Sequence, residues 1–461
     1  MSTSSLTRAL GLRLVVVVVI GNIIGSGVYK KVAPMAATLH SSGWVLVAWI
    51  LAGIITLFGA LCNAEVASLL ADTGGEYVYY KKIYNRFFAF LFGWSVFTVI
   101  QTAAISALAY LFAESLHSIF HLPELFPGLA DISIGGVFLP FEHLNVKVTA
   151  IALIIFLTWI NSRGIKAGAG VSMGILILVF GSLFTIVAFG WMSGTAHISN
   201  ISFDTTDGSA ITVSAMFSAM LGAFWAYQGW AAVGYIGGEI KEPHKNIPRG
   251  IVIGIFSVIV LYLVVNTTYL SILPVQQLDE IYKSGNQIAA VETVRTFWGS
   301  NGVMFISLLI MLTTMGCCNA TILSSSRTYY AMAKEGLFFK NAAKLNDKHA
   351  PSNSLLYQCV WACILVLSGT FDQLTDMIIF AIFIYYGTTT LGVFILRKKM
   401  PDATRGYKVW GYPVVPAIVI IFCVVLVIMS FYTHPREAAI GTVLMLTGVP
   451  MYLWFNRKQK N

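Results

Sequence analysis

Val19-Ile20-Gly21-Asn22-Ile23-Ile24-Gly25-Ser26-Gly27-Val28-Tyr29 is an apolar run broken in its middle. Three glycines within seven residues each weaken a helix by about 1 kcal/mol relative to alanine. A serine and an asparagine stand among them. The run belongs to a longer apolar stretch over 12–39, enough to cross a bilayer core of roughly 30 Å. A break at that depth leaves backbone amides and carbonyls without helical partners, which is tolerated only where protein or a ligand meets them. A second stretch of this kind is Phe224-Trp225-Ala226-Tyr227-Gln228-Gly229-Trp230-Ala231-Ala232-Val233-Gly234-Tyr235-Ile236-Gly237-Gly238.

Composition explains why such runs matter here. The chain has 461 residues, is 57% hydrophobic and is only 11% charged. Its mean hydropathy is +0.77. Soluble domains carry about a quarter charged residues, and one or two cores could not hide this much apolar surface. The apolar runs are long and continuous, which predicts helices rather than a closed barrel. About twelve spans are expected, at 12–39, 43–70, 86–118, 145–162, 168–192, 210–238, 248–272, 301–333, 354–369, 371–396, 414–432 and 437–455. No connection is long enough for a separate soluble domain. The run Leu14–Val19 has no cleavage site after it and reads as part of span one.

With an even number of spans both ends lie on one side. Placing them in the cytoplasm puts 23 of the 29 basic residues inside and leaves Lys30, Lys31, Lys147, Lys283, Arg295 and Arg436 outside. That follows the positive-inside rule. It also accounts for the net charge of +9 without a nucleic-acid partner, since the basic residues form no stripe. The six cysteines all fall within predicted spans, so no disulfide framework is expected.

The two broken spans lie five apart. Interrupted segments at matching positions of two halves point to a binding site between inverted repeats. A broken helix offers amides at one end and carbonyls at the other, which attract a carboxylate and an ammonium. An amino acid zwitterion carries both groups. Glycine lets the backbone approach such a ligand closely. The competing explanation is small-residue helix packing, and the second break argues against it. A phosphate-binding loop is excluded because no strand precedes Gly25-Ser26-Gly27. An enzyme is disfavoured because the eight histidines form no ligand-spaced cluster with acids. A channel is disfavoured for want of carbonyl or charge rings. No cofactor and no metal are expected.

At these residues the chain resembles the amino acid–polyamine–organocation superfamily, and within it the L-type amino acid transporter family and its bacterial relatives. The resemblance runs through span one, the string Phe224–Trp230 and Glu239–Arg249. Gly74–Tyr77, Asn161–Lys166, Ser324–Arg327 and Tyr407–Pro413 match as well. It covers nearly the whole chain.

The resemblance implies an all-α membrane fold with a 5+5 inverted repeat, first known from a bacterial leucine transporter. Residues 1–200 would hold helices 1–5, residues 201–400 helices 6–10, and residues 401–461 helices 11 and 12. It implies sodium-independent exchange of neutral amino acids by alternating access, with a proton-coupled symporter as the alternative. Gly25, Ser26 and Gly27 would bind the substrate carboxylate. Backbone around Ile23, Trp225, Ala226 and Tyr227 would hold the α-amino group, and Trp225 would be the outer gate. Lys166 would replace the cation of sodium-coupled relatives. Gln101, Thr102, Cys318 and Asn319 would border the side-chain pocket.

Three departures stand out. Gln228 occupies a place where some dibasic-amino-acid carriers of this family have aspartate, which favours neutral substrates. Lys30-Lys31 follows the break where apolar residues are expected, and reads as snorkelling toward an outer vestibule, with attraction of anionic substrates as the alternative. The loop between spans three and four lacks the cysteine that ties animal relatives to a glycoprotein, so no disulfide-linked accessory subunit is expected. Glu65, Glu114 and Arg327, near span ends, are expected to pair structurally at gates. A prokaryotic plasma membrane is the expected location.

Overall fold

The computed structural model describes residues 11–460 except 71–74, 136–137, 164–170, 232, 234–239, 286 and 348–349. The regular elements among the described residues are helical, apart from one bridge between Ile134 and Phe138. Among the described residues eight helices are long and apolar enough to cross a membrane, and four shorter apolar ones join them: Leu12–Ile23, Ile177–Met192, Val213–Ala226 and Ser352–Ser368. The first three fall within the predicted spans one, five and six, and the fourth overlaps span nine, starting two residues before it.

The first span is broken as its glycines require. Helix α1 (Leu12–Ile23) ends at Ile24, whose φ of −73° and ψ of 110° are extended. The chain re-enters helix as α2 (Gly27–Lys30) and, one residue later, α3 (Val32–Leu39). Lys31 between them keeps helical angles, so Gly27–Leu39 acts as one half-helix, termed the outer one after the orientation expected from the basic residues. Helix α4 (Ser42–Leu69) returns, and α5 (Gly75–Ile83) lies beyond it. Burial pushes the carboxyl of Glu76 on α5 up to about 7.

Helix α6 (Arg86–Ser95) runs through a π-turn at Val96–Ile100 into α7 (Gln101–Phe120). A π-turn widens the helix by one residue. Thr102 fits it by donating to the carbonyl of Phe97, five residues back, at 2.6 Å. Trp361 donates to the carbonyl of Thr98 at 2.8 Å. Helices α8 (Leu144–Ser162), α9 (Val171–Met192) and α10 (Val213–Ala226) follow. The second break lies at the end of α10. There Gly229 takes φ +122°, a conformation that favours glycine.

The remaining elements are α11 (Pro243–Ile272), α12 (Val275–Ser284), α13 (Ala289–Lys334), α14 (Ser352–Ser368), α15 (Phe371–Lys399), α16 (Val414–Thr433), α17 (Pro435–Leu446) and α18 (Gly448–Lys460). Helix α13 bends at Gly299, φ 59°. A capping box between Thr370 and Gln373 starts α15. Helix α11 packs along α1 and α4, and α13 along α7 and α9.

The outer faces of the helices are apolar. Val252, Phe256 and Val260 on α11, and Leu356, Val360 and Ile364 on α14, are exposed at helical spacing. The interior carries the polar groups, including buried Glu65, Glu114, Asn266 and Lys31. Polar groups inside and apolar groups outside are the arrangement that lipid demands.

Candidate functional site

The two breaks touch. A Cβ added to Gly27 would lie 2.6 Å from both Cα and Cβ of Ala226, so only glycine lets the two chains meet there. A Cβ on Gly229 would lie 2.0 Å from the carbonyl oxygen of Asn22. The indole Nε1 of Trp225 donates to Ser26 Oγ at 3.1 Å. The hydroxyl of Tyr262, on α11, lies 3.2 Å from the carbonyl of Ile23 and 2.9 Å from that of Ala226. Its single proton is shared between the exposed C-terminal carbonyls of the two half-helices.

The residues singled out by sequence are therefore brought together at one place: Ile23, Gly25, Ser26 and Gly27 from span one, and Trp225 and Ala226 from span six. Trp225 meets the ring of Phe371 edge-on at 6.2 Å. Tyr227 turns its side chain away. Its hydroxyl donates to the carbonyl of Trp49 at 3.2 Å, and its ring packs on Trp49 and Tyr262. Only the backbone of Tyr227 belongs to the break. Lys166 lies outside the described residues.

Tyr262 was not singled out by sequence. It is one apolar-compatible residue in a long helix, and nothing local marks it. Tyr29 was missed for the same reason. Its hydroxyl shares a hydrogen bond of 2.6 Å with Ser182 Oγ and ties the outer half-helix to α9. Next to the break, Gln228 accepts from the Tyr386 hydroxyl at 2.7 Å. A cavity of about 20 Å³ lies there, lined by Thr56, Tyr227, Gln228, Trp230, Phe383 and Tyr386.

Three of the four pocket candidates serve helix contacts. Thr102 Oγ1 is taken by the π-turn. Cys318 Sγ faces the carbonyl of Ile105 at 3.7 Å, and Asn319 Oδ1 accepts from Asn161 Nδ2 at 2.7 Å. Gln101 is half-buried at the start of α7.

The lysine pair corrects the sequence expectation. Lys30 and Lys31 do not snorkel. They are 5% and 1% exposed and are ion-paired inside the protein. Lys30 pairs with Glu114 of α7. Lys31 pairs with Asp372 of α15 at 2.7 Å. The partners are far away in sequence, so burial of these charges was not visible locally. Glu65 pairs as expected of a span-end acid. It holds Arg397 through two bonds of 2.9 and 2.8 Å and accepts the amide of Val409 at 2.6 Å.

Helices with lipid-facing apolar surfaces and buried polar interiors define a multi-pass membrane protein. A family model described as "Amino acid permease" matches residues 10–455, and the chain belongs to that family, within the superfamily its motifs resemble. It is 30% identical to the serine/threonine exchanger SteT of Bacillus subtilis, over 99% of this chain and 98% of that protein. It is 27% identical to the mouse b(0,+)-type amino acid transporter 1, over 99% of this chain and 89% of that one. Human large neutral amino acids transporter small subunit 2 is 28% identical, over 97% and 80% respectively.

Proposed function

We propose that this protein exchanges neutral L-amino acids across the plasma membrane, without sodium, by alternating access. The observation that carries this is the contact between two broken helices, with the carbonyls of Ile23 and Ala226 converging on one hydroxyl. An α-ammonium can take the place of that hydroxyl proton. The first turn of the outer half-helix, at Gly25, Ser26 and Gly27, supplies amides for the carboxylate. Trp225 closes the site from outside.

The architecture that fits is two inverted repeats of five spans, residues 1–200 and 201–400, followed by two further spans over 401–461. Both ends lie in the cytoplasm, as the distribution of basic residues favours. Lys166 acts as a fixed charge in place of a coupling cation. Neutral substrates are favoured because Gln228 offers no counter-charge, and a buried unpaired cation is costly. The names of two relatives, a serine/threonine exchanger and a transporter of large neutral amino acids, point the same way.

The test is uptake of labelled serine and leucine into proteoliposomes, with internal amino acid, sodium and a proton gradient each present or absent. Uptake that needs internal amino acid and ignores both ions is expected. Accumulation in empty vesicles driven by protons would replace exchange with symport. Arginine outcompeting alanine and leucine would overturn the neutral preference.

A further inference from the structure

Two neighbouring lysines on the outer half-helix reach in different directions. Successive residues of a helix point about 100° apart, so one turn can grip two other helices. Lys30 pairs with Glu114 near the outer end of α7. Lys31 Nζ donates to Asp372 Oδ1 at 2.7 Å and to Thr375 Oγ1 at 2.6 Å, and stands 3.6 Å from Asp376 Oδ1. Two of its donors are thus matched by acceptors on the first turns of α15, and a second carboxylate stands within ion-pair range.

Both ammonium groups lie 5.2 Å from the centre of the Phe371 ring. That ring in turn abuts Trp225. His434 joins the cluster from the start of α17. Its Nε2 lies 3.6 Å from Asp376 Oδ2 and 3.5 Å from Ser218 Oγ on α10. The outer half of span one therefore reaches Asp376 through Lys31, and α10 reaches it through His434.

We propose that Lys30 and Lys31 form a two-point charge lock on the outer gate, which holds Phe371 over Trp225. The inference rests on the alternating-access reading above. Its physical basis is the cost of a buried charge that has lost its partner. The ammonium and carboxylate groups are stable when dry and paired, or when separated and hydrated. A half-open gate leaves them dry and unpaired. The lock thus makes the gate two-state, and both pairs part together when water enters.

The experiment uses the full-length protein in intact cells. Cys317, half-buried on α13, which packs against the outer half-helix, serves as reporter. A charged, membrane-impermeant thiol reagent is added outside, and Cys317→Ser assigns the label. Lys31→Gln is expected to raise labelling roughly fivefold, a gating shift of about 1 kcal/mol. Lys30→Glu and Glu114→Lys, each alone, are expected to cut exchange at least about tenfold, and the double exchange of charges to recover most of it. Unchanged labelling in Lys31→Gln, or a double variant no better than the singles, would overturn the lock. Labelling is read on the protein itself. A wild type that exchanges no amino acid would therefore fault the transport reading while leaving the lock decidable.

Discussion

The two halves of the first span are held by different forces. The inner half, α1, leans on α11 through apolar contacts. Val15 and Val19 lie against Gly250 and Gly254, where an added Cβ would come within 2.4 and 2.6 Å of their methyl groups. Of its two polar side chains, Arg13 and Asn22, Asn22 bonds back to Val18 of its own helix. Among the described residues no ion pair ties α1 to the rest. The outer half is held by Tyr29 to α9, by Lys30 to α7 and by Lys31 to α15. Apolar contacts can slide with little change in energy, because their strength follows buried area and has no direction. Buried ion pairs cannot slide, since each step apart costs Coulomb energy in a poor dielectric. The contrast assigns graded motion to α1 and all-or-none motion to Gly27–Leu39.

The comparison breaks most severely at the hinge between the halves. Gly229→Ala would drive a Cβ into the Asn22 carbonyl, in a backbone conformation that alanine rarely adopts. Exchange should fall roughly 100-fold, as expected when binding groups are displaced by about an ångström. Transport near the wild-type rate would show that the breaks need not touch.

A smaller effect probes the inner half alone. Gly250→Ala should wedge α1 away from α11, at a cost of about 1–3 kcal/mol. Trimming the neighbour with Val15→Ala should restore exchange, giving a coupling of about 1 kcal/mol in a double-mutant cycle. Additive losses would mean that α1 is not seated on α11 as described.

The smallest effect concerns the bridge between the breaks. Tyr262→Phe removes a hydroxyl shared by two carbonyls, worth about 1 kcal/mol. KM for a neutral amino acid should fall about fivefold while the protein stays folded, because the ammonium no longer has to displace the hydroxyl from the two carbonyls. An unchanged KM would remove Tyr262 from the site.

Much of this was legible in the sequence, but unevenly. The glycines of span one and of the Phe224–Trp230 string announce broken helices, because glycine weakens a helix wherever it stands. The facing of Gly27 to Ala226 and of Gly229 to Asn22 was not legible, since it depends on two segments about 200 positions apart. Tyr262 carries no local signal for the same reason. The lysines were misread because Lys30 and Lys31 border an outer segment, where a charge is usually hydrated. A signal did exist. Asp372 and Asp376 stand four residues apart on one face of a predicted span, and two acids there require a cation. Matching them to Lys31 requires knowing the fold.

Hydrogen–deuterium exchange of the full-length protein in nanodiscs tests the contrast most directly. Amides of 12–23 are expected to exchange at least about tenfold faster than those of 27–39, a local stability difference of roughly 1.4 kcal/mol. Added serine or leucine should slow the inner half most. Equal protection of the two halves, or faster exchange in 27–39 than in 12–23, would contradict the assignment of a loose inner half and a charge-locked outer one.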